Sequence, residues 1–337
     1  MPVTPATPVN RRAFAVAFAA FAAHFVVIGI AVGSSTISAA EVVHPDDLRI
    51  VSLTPAVTQM LIDLGVSDAV VGVGAYDPVA PPRAQVVGDL YHIDYERLLI
   101  LEPTHVFYQR TRQPLPGRLS ELAAKHRWQL HGYEIEVRDD VMAALRGRDG
   151  RIGVGAAIGH ADAAEQLARS IERRLARLAE VTTAAAAQRT LPLVGFNPLT
   201  AAGPGTVVNQ MLTIAGGRNV IEGEEIRYPV IDRERLLALD PEVIVLIAPR
   251  QGAAAAGSDR KPRDVKGKLN LPPSMNPRIV VLDEPTALLP STTMVATAAQ
   301  LAKLLHPHLA EQIDAAVSDQ ALPGDPGAPP DQDRPQP

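Results

Sequence analysis

The chain has 337 residues, 47% of them apolar, and a formal net charge of −5. That length and apolar content allow about two domains with buried cores, while the acidic balance argues against nucleic acid as a partner. Cysteine is absent, which excludes disulfides, thiolate metal sites, a Cys nucleophile and a lipidated N-terminal Cys.

Residues 1–40 read as a targeting segment. Arg11 and Arg12 form a positive n-region, Ala13 to Val32 is apolar apart from His24 and Gly29, and Ser38-Ala39-Ala40 offers a small-residue cleavage site before Glu41. The apolar run of residues 13–32 is also long enough to remain in a bilayer as an anchor. Arg11-Arg12-Ala13-Phe14 partly fits a twin-arginine signal. Cleavage or anchoring, and the export route, stay open. Removing the segment takes away two Arg and no acid, so the charge becomes −7 (−5 − 2).

Arg49 to Leu53 reads as a strand, followed by the turn Thr54-Pro55 and a helical stretch through Thr58-Gln59-Met60-Leu61 to Gly65. The loop Ala75 to Gln85 (AYDPVAPPRAQ) carries Tyr76, and a second loop carries Tyr91 and His92. Residues 94–103, DYERLLILEP, form a short helix. Asp94 caps it, Leu98 and Leu101 share a face, and Pro103 stops it. His105 to Gln109 follows as a strand. These elements build an N-terminal α/β lobe over residues 41–158. Near its end, Gly153-Val154-Gly155 with Gly159 resembles a dinucleotide fingerprint, but Ile158 holds the third glycine's place and a turn into the next helix explains the run better.

Residues 159–183 are expected to form one linking backbone helix. Leu167, Ile171, Leu175 and Leu178 fall on one face, and Arg169, Arg173, Arg174 and Arg177 cover much of the rest. About 20 helical residues span about 30 Å, enough to cross from one lobe to another.

The pattern then repeats. Leu191 to Phe196 reads as a strand, Asn197-Pro198 as a turn, and Asn209-Gln210-Met211-Leu212 as part of a helix ending at Gly216-Gly217. A loop with Tyr228-Pro229 leads to residues 232–241, DRERLLALDP, a near copy of the earlier decapeptide 138 positions on (232 − 94). Asp232 caps, Leu236 and Leu239 pack, Pro241 stops, and Val243 to Ile247 reads as a buried strand. Residues 184–317 are thus a C-terminal α/β lobe of the same type. The expected fold is α/β: two similar lobes with mostly parallel sheets, one long connecting helix, and a ligand cleft between them. Gln251 to Ser258, rich in Ala and Gly, departs from that pattern. Residues 318–337, rich in Pro and Asp, are expected as a disordered tail.

Some motifs promise chemistry that their context removes. Leu282 to Thr286 (LDEPT) mimics a Walker B strand end, yet no GxxxxGKS or GxxxxGKT phosphate loop exists in the chain, so ATP hydrolysis is not expected. His306-Pro307-His308 reads as a solvated helix end rather than a metal site. No Ser-His-Asp grouping and no paired cleft carboxylates are recognisable, so no catalytic residue is assigned.

Ser52-Leu53-Thr54-Pro55, Ala75 to Gln85, the two decapeptides and Tyr228-Pro229 resemble the helical-backbone solute receptors of ABC importers. That group binds cobalamin, haem and ferric siderophores, and the cobalamin receptors are the nearer likeness. The resemblance spans Arg49 to Pro307. It implies an exported, monomeric, periplasmic receptor that captures a corrinoid or iron chelate as its ligand, needs no cofactor, and delivers the ligand to an ABC permease. It further implies that Glu96 and Glu234 each offer one surface carboxylate to Arg residues of the two permease subunits. Tyr76, Asn197 and Tyr228 match ligand-facing positions; where such receptors tend to carry Trp, this chain has Tyr228.

Read from the residues alone, Tyr76, Tyr91 and Tyr228 suit the rim of a cleft, because Tyr offers a broad apolar face and a polar tip. Tyr91 or His92 could be an axial ligand to iron or cobalt. Plainer roles exist for all of them. A Glu near a helix N-terminus gains about 0.3–1 kcal/mol from the macrodipole with no partner, a Tyr can plug a surface gap, and a loop His is often just solvated. Alternatives to the corrinoid reading are a haem or ferric-siderophore receptor, a membrane-anchored sensor subunit, and a tetrapyrrole- or corrinoid-processing enzyme.

Overall fold

The computed structural model describes residues 47–223, 226–247, 269, 271 and 275–318. The expected targeting segment, residues 251–258, and all of the expected tail except Ser318 lie outside the described residues. Among the described residues no helix is long and apolar enough to cross a membrane.

The N-terminal lobe is built on a five-stranded parallel sheet. Its strands are β1 (Ile50–Ser52), β2 (Val70–Val73), β3 (Gln85–Val86), β4 (His105–Gln109) and β5 (Gln129–Tyr133), in the order β3-β2-β1-β4-β5. Every residue of β1 is buried, as a central strand covered on both faces requires. Helices α1 (Pro55–Asp63), α2 (Tyr95–Leu101), α3 (Gly117–His126) and α4 (Arg138–Arg146) connect the strands. Pro55 opens α1, where its missing N–H costs nothing.

A short hairpin, β6 (Gly147–Arg148) with β7 (Arg151–Ile152), and the one-turn helix α5 (Val154–Ala157) lead into α6 (Ala161–Thr183). Close packing explains the glycines here. A Cβ on Gly153 would lie 2.4 Å from the Gly147 nitrogen, and one on Gly155 would lie 2.2 Å from the Ala164 Cβ.

The C-terminal lobe holds β8 (Gln188–Phe196), β9 (Leu199–Ala201), β10 (Gly217–Asn219), β11 (Val243–Ile247) and β12 (Arg278–Leu282). The parallel path runs β10-β8-β11-β12, and β9 folds back antiparallel on β8. Its helices are α7 (Val207–Ile214), α8 (Arg233–Leu239), α9 (Met294–Leu305) and α10 (Ala310–Val317). The path matches β2-β1-β4-β5 strand for strand, so the two lobes share one topology.

The buried stripe of α6 is Ala164, Ala168, Ile171, Leu175, Leu178 and Thr182. Leu167, expected on that face, is only partly buried. The helix packs against α4, α5, α7, α9 and α10, and one apolar cluster runs through both lobes and α6. It is therefore a shared wall of the core. Two of its arginines differ from the expected solvent cover. Arg174 Nε donates to the Val317 carbonyl at 2.7 Å and Arg177 to the Ser318 carbonyl at 2.8 Å, neutralising the negative end of α10. His306 also departs from expectation. Its residue is 1% exposed, because its ring packs on Gly216 at the end of α7, where a Cβ would come within 2.7 Å of Nε2.

The lobes also touch through a reciprocal pair of contacts. Gln210 on α7 accepts the Arg138 N–H at the start of α4 (2.9 Å), and Asp63 at the end of α1 accepts from the Thr292 hydroxyl just before α9. In each direction, the helix after one lobe's first strand meets the helix after the other lobe's last strand.

Candidate functional site

Parallel strands place all their carboxyl ends along one sheet edge, and the loops leaving those ends are where α/β proteins bind ligands. In the N-terminal lobe these loops hold Tyr76 (after β2), Tyr91 and His92 (after β3), Thr111 (after β4) and Glu136 (after β5). They are tied together. The Ala75 N–H donates to the Gly88 carbonyl at 2.7 Å, the Tyr91 hydroxyl meets the Thr111 hydroxyl at 2.7 Å, and the Arg110 N–H donates to the Tyr133 carbonyl at 2.7 Å.

Tyr76 is the outlier of this edge. Its side chain is 98% exposed, and its backbone is left-handed at φ +63°, an uncommon state for a residue with a Cβ. Asp77, the next residue, turns inward. Its Oδ1 accepts the Val79 N–H at 3.0 Å, and its Oδ2 lies 2.7 Å from the Thr58 hydroxyl. Burial raises the Asp77 pKa, opposed by these two hydrogen bonds.

Tyr91 and His92 are both exposed, and both backbone N–H groups donate to Asp89 Oδ1, at 2.8 and 2.9 Å. His92 Nδ1 lies 3.2 Å from the same carboxylate. The Tyr91 and His92 N–H groups and the His92 ring hold Asp89 below the usual carboxylate range. The turn is therefore built by Asp89, and it presents both rings outward. Among the described residues, no three His, Asp or Glu side chains gather as a metal site.

On the C-terminal lobe, the β8–β9 hairpin turns at a cis Asn197-Pro198 bond. Residues 226–231 pass beside β9, bending at Arg227 and Tyr228. Gly203 N–H donates to the Arg227 carbonyl (2.7 Å), Ala201 N–H to Pro229 (3.0 Å), and Ile231 N–H to Leu199 (2.8 Å). Ile226, Tyr228 and Val230 are all exposed. Tyr228 thus stands in a short row of exposed apolar side chains that the sequence reading did not recognise. Burial of its remainder raises the phenol pKa. Next to it, Arg227 pairs with Glu136 of the N-terminal lobe. That ion pair joins the carboxyl-end loops of the two sheets, so these edges face each other across the interlobe cleft. Tyr76, Tyr91 and His92 stand on the carboxyl-end loops of the N-terminal lobe, and Asn197 and Tyr228 on those of the C-terminal lobe.

Glu96 and Glu234 sit in the first turns of α2 and α8, and both are exposed. Asp94 and Asp232 cap the helices by accepting the N–H three residues on, at 3.0 and 2.7 Å. Both helices end on a left-handed residue, Glu102 (φ +43°) and Asp240 (φ +40°). The duplication extends to residues outside the decapeptides. Arg49 Nη2 donates to the Leu101 carbonyl, and Arg189 Nη2 to the Leu239 carbonyl, both at 2.6 Å. The residue after each proline then binds back: Thr104 N–H to the Arg49 carbonyl (2.8 Å) and Glu242 N–H to the Arg189 carbonyl (2.9 Å). Each helix is thus capped by its own Asp at the start and tied to its sheet at the end. Among the described residues, Glu96 and Glu234 make no ion pair. Arg49 and Arg189 went unnoticed because their offset, 140 (189 − 49), differs from the decapeptide offset.

Comparison with known proteins gives the site a context. Residues 50–267 match the family model described as "Periplasmic binding protein". The vitamin B12-binding protein of Salmonella typhimurium is 28% identical over 203 residues, covering 59% of this chain and 71% of that protein. Among solved structures, the apo periplasmic heme-binding protein RhuT from Roseiflexus sp. RS-1 superposes with a TM-score of 0.60 at 23% identity, over 80% of this chain and 99% of that one. The periplasmic vitamin B12-binding protein BtuF of Vibrio cholerae gives a TM-score of 0.55 at 19% identity, over 80% and 97%. At such identities the structural likeness concerns the two-lobed fold.

Proposed function

Because the chain belongs to the periplasmic binding protein family, we propose that it is an extracytoplasmic receptor that captures a cobalt corrinoid or an iron chelate between its lobes and delivers it to an ABC-type membrane permease. The observation that carries the delivery half is the duplicated helix, capped at its start and tied to its sheet at its end. It offers one carboxylate per lobe, Glu96 and Glu234, in the same structural setting and unpaired among the described residues. A carboxylate forms a bidentate, charge-assisted pair with Arg, so two such groups suit two related subunits. A rigid mount matters here, since docking two points at once rewards a fixed spacing.

The capture half rests on the cleft edges. Tyr76 and Tyr91 on one lobe, and Asn197 and the row around Tyr228 on the other, offer apolar faces with polar tips to a broad, flat ligand. Either Tyr91 or His92 would serve as the axial ligand of an iron-bearing guest, and the heme-binding structural relatives favour keeping haem as a second reading. Residues 1–40 would direct export, either cleaved or retained through residues 13–32. The receptor would work as a monomer, without a catalytic step.

Calorimetry and visible absorbance with cyanocobalamin, haemin and a ferric hydroxamate assign the ligand class. A shift of the metal-centred band that disappears in Tyr91→Phe or His92→Ala identifies the axial ligand. Glu96→Ala combined with Glu234→Ala abolishes uptake in cells while leaving affinity unchanged. A loss of affinity in that double variant would contradict the docking role.

A further inference from the structure

Arg227 meets Glu136 from one lobe to the other, but the pair is single-pronged. Arg227 Nη1 donates to Glu136 Oε2, and among the described residues the rest of the guanidinium has no other hydrogen-bond partner. A guanidinium is a fork of donors that one carboxylate can grip with both oxygens, so part of this fork is left over. Both side chains are half exposed. The pair is not needed to hold the lobes together. Two residues beyond Glu136, the Arg138 N–H already donates to Gln210 of the C-terminal lobe at 2.9 Å, and an exposed ion pair adds little to that.

The backbone on each side is held more firmly than the pair itself. The Arg227 carbonyl accepts the Gly203 N–H at 2.7 Å. The Arg227 side chain lies along Gly205, where a Cβ would stand 3.8 Å from Nε and 4.0 Å from Cγ. On the other lobe the Glu136 N–H donates to Asp140 Oδ2 at 3.1 Å. Arg227 thus faces Glu136 by direct contact and Asp140 only through its field, and Asp140 has Arg148 beside it at 3.8 Å. In the chain, Arg227 stands between the exposed Ile226 and Tyr228. The charges of Arg227 and Glu136 both reach the Tyr228 phenol. A cation set beside an aromatic face and an aliphatic side chain suits a flat apolar guest with an acid group on its edge.

We propose that Glu136 determines specificity: it occupies Arg227 as a built-in competitor and yields that place only to a free carboxylate of the guest. The ligand class is then a metal chelate that bears a carboxylate, and a guest without one meets a cleft whose cation is already taken. The exchange breaks one single-pronged, solvent-exposed contact. It forms a two-pronged one in a place that the guest itself shields from water. Glu136 swings out into solvent, as its exposure allows. This assignment rests on the receptor reading above.

Calorimetry on the full chain tests the exchange. Haemin and ferric citrate carry free carboxylates; haemin dimethyl ester and cyanocobalamin do not. One or both of the acid probes bind, which names the source of the carboxylate. Their affinity rises about two- to fivefold in Glu136→Gln, the equivalent of one exposed ion pair. It falls about tenfold or more in Arg227→Gln, the equivalent of a hydrogen bond to a charged group. Once Arg227→Gln is in place, adding Glu136→Gln changes nothing further, because the two residues act as one unit. The ester and cyanocobalamin stay within about twofold of their own values in every variant. Weaker or unchanged binding of the acid probes in Glu136→Gln overturns the exchange while the receptor reading stands. So does an ester that binds as tightly as haemin, or binding of cyanocobalamin alone. If none of the four binds, the receptor reading fails and the exchange fails with it.

Discussion

His131 shows what a single half-buried titratable group does to this protein. It stands in a stack of rings across β4 and β5, with centroids 5.5 Å from His105 and 5.0 Å from Phe107. Its Nε2 is buried without a hydrogen-bond partner among the described residues. Burial first, and then the neighbouring His105, lower its pKa from 6.5 to about 4. The folded protein therefore binds fewer protons here than the unfolded chain. The stability tied to neutral His131 is complete above about pH 6.5 and is lost as pH falls toward 4, amounting to as much as about 3 kcal/mol. Urea midpoints of the unaltered protein should fall over that window. His131→Phe should keep the stack, fall less steeply, and hold its stability at neutral pH. An equal slope in the variant would place the acid sensitivity elsewhere.

The element that matters most for stability is α6. Its apolar stripe faces helices of both lobes, and Arg146 of α4 reaches two of its carboxylates, Glu165 and Glu172, each at 2.6 Å. Leu178 is fully buried in the cluster that runs through both lobes. Leu178→Ala should cost about 3 kcal/mol, transfer and cavity terms together. Because the cluster is continuous, both lobes should lose stability at once. Denaturation followed separately by the single Trp128 of the N-terminal lobe and by overall helicity should keep coincident, lowered midpoints. Separate midpoints would mean that the lobes fold independently.

At the scale of the whole molecule, the shared core and the reciprocal contacts Gln210–Arg138 and Asp63–Thr292 oppose a wide hinge motion. The Glu136–Arg227 pair adds a link at the cleft itself, exposed enough to contribute little energy. Ligand binding should therefore leave α2 and α8 at nearly fixed spacing. The chain has no cysteine of its own, so spin labels can be placed cleanly through Ile100→Cys and Leu237→Cys, both exposed positions on those helices. Their distance distribution should be the same before and after ligand addition. A shift of several ångströms would show lobe closure and would remove the argument from a rigid mount.

Much of this architecture is written in local chemistry. The decapeptides announce their own helices, because an Asp cap, leucines at helical spacing and a stopping proline act within one turn of each other. The length and stripe of α6, and the exposure of Glu96 and Glu234, follow from the same periodicity. Their recurrence 138 positions apart was enough to infer two like lobes. Sheet order was not readable, nor were the short strands β3 and β9, whose two and three residues carry no period. His306 was misread, since its burial depends on a glycine 90 positions earlier (306 − 216). The Arg49 and Arg189 locks, the Glu136–Arg227 link and the Thr58–Asp77 contact likewise join residues far apart in sequence or in different elements. Period, caps and stops are set by neighbours along the chain, so the sequence alone determined the elements and their duplication. Which side chain is desolvated, and which finds a partner, is set by what folds against it, and only the tertiary structure decided that.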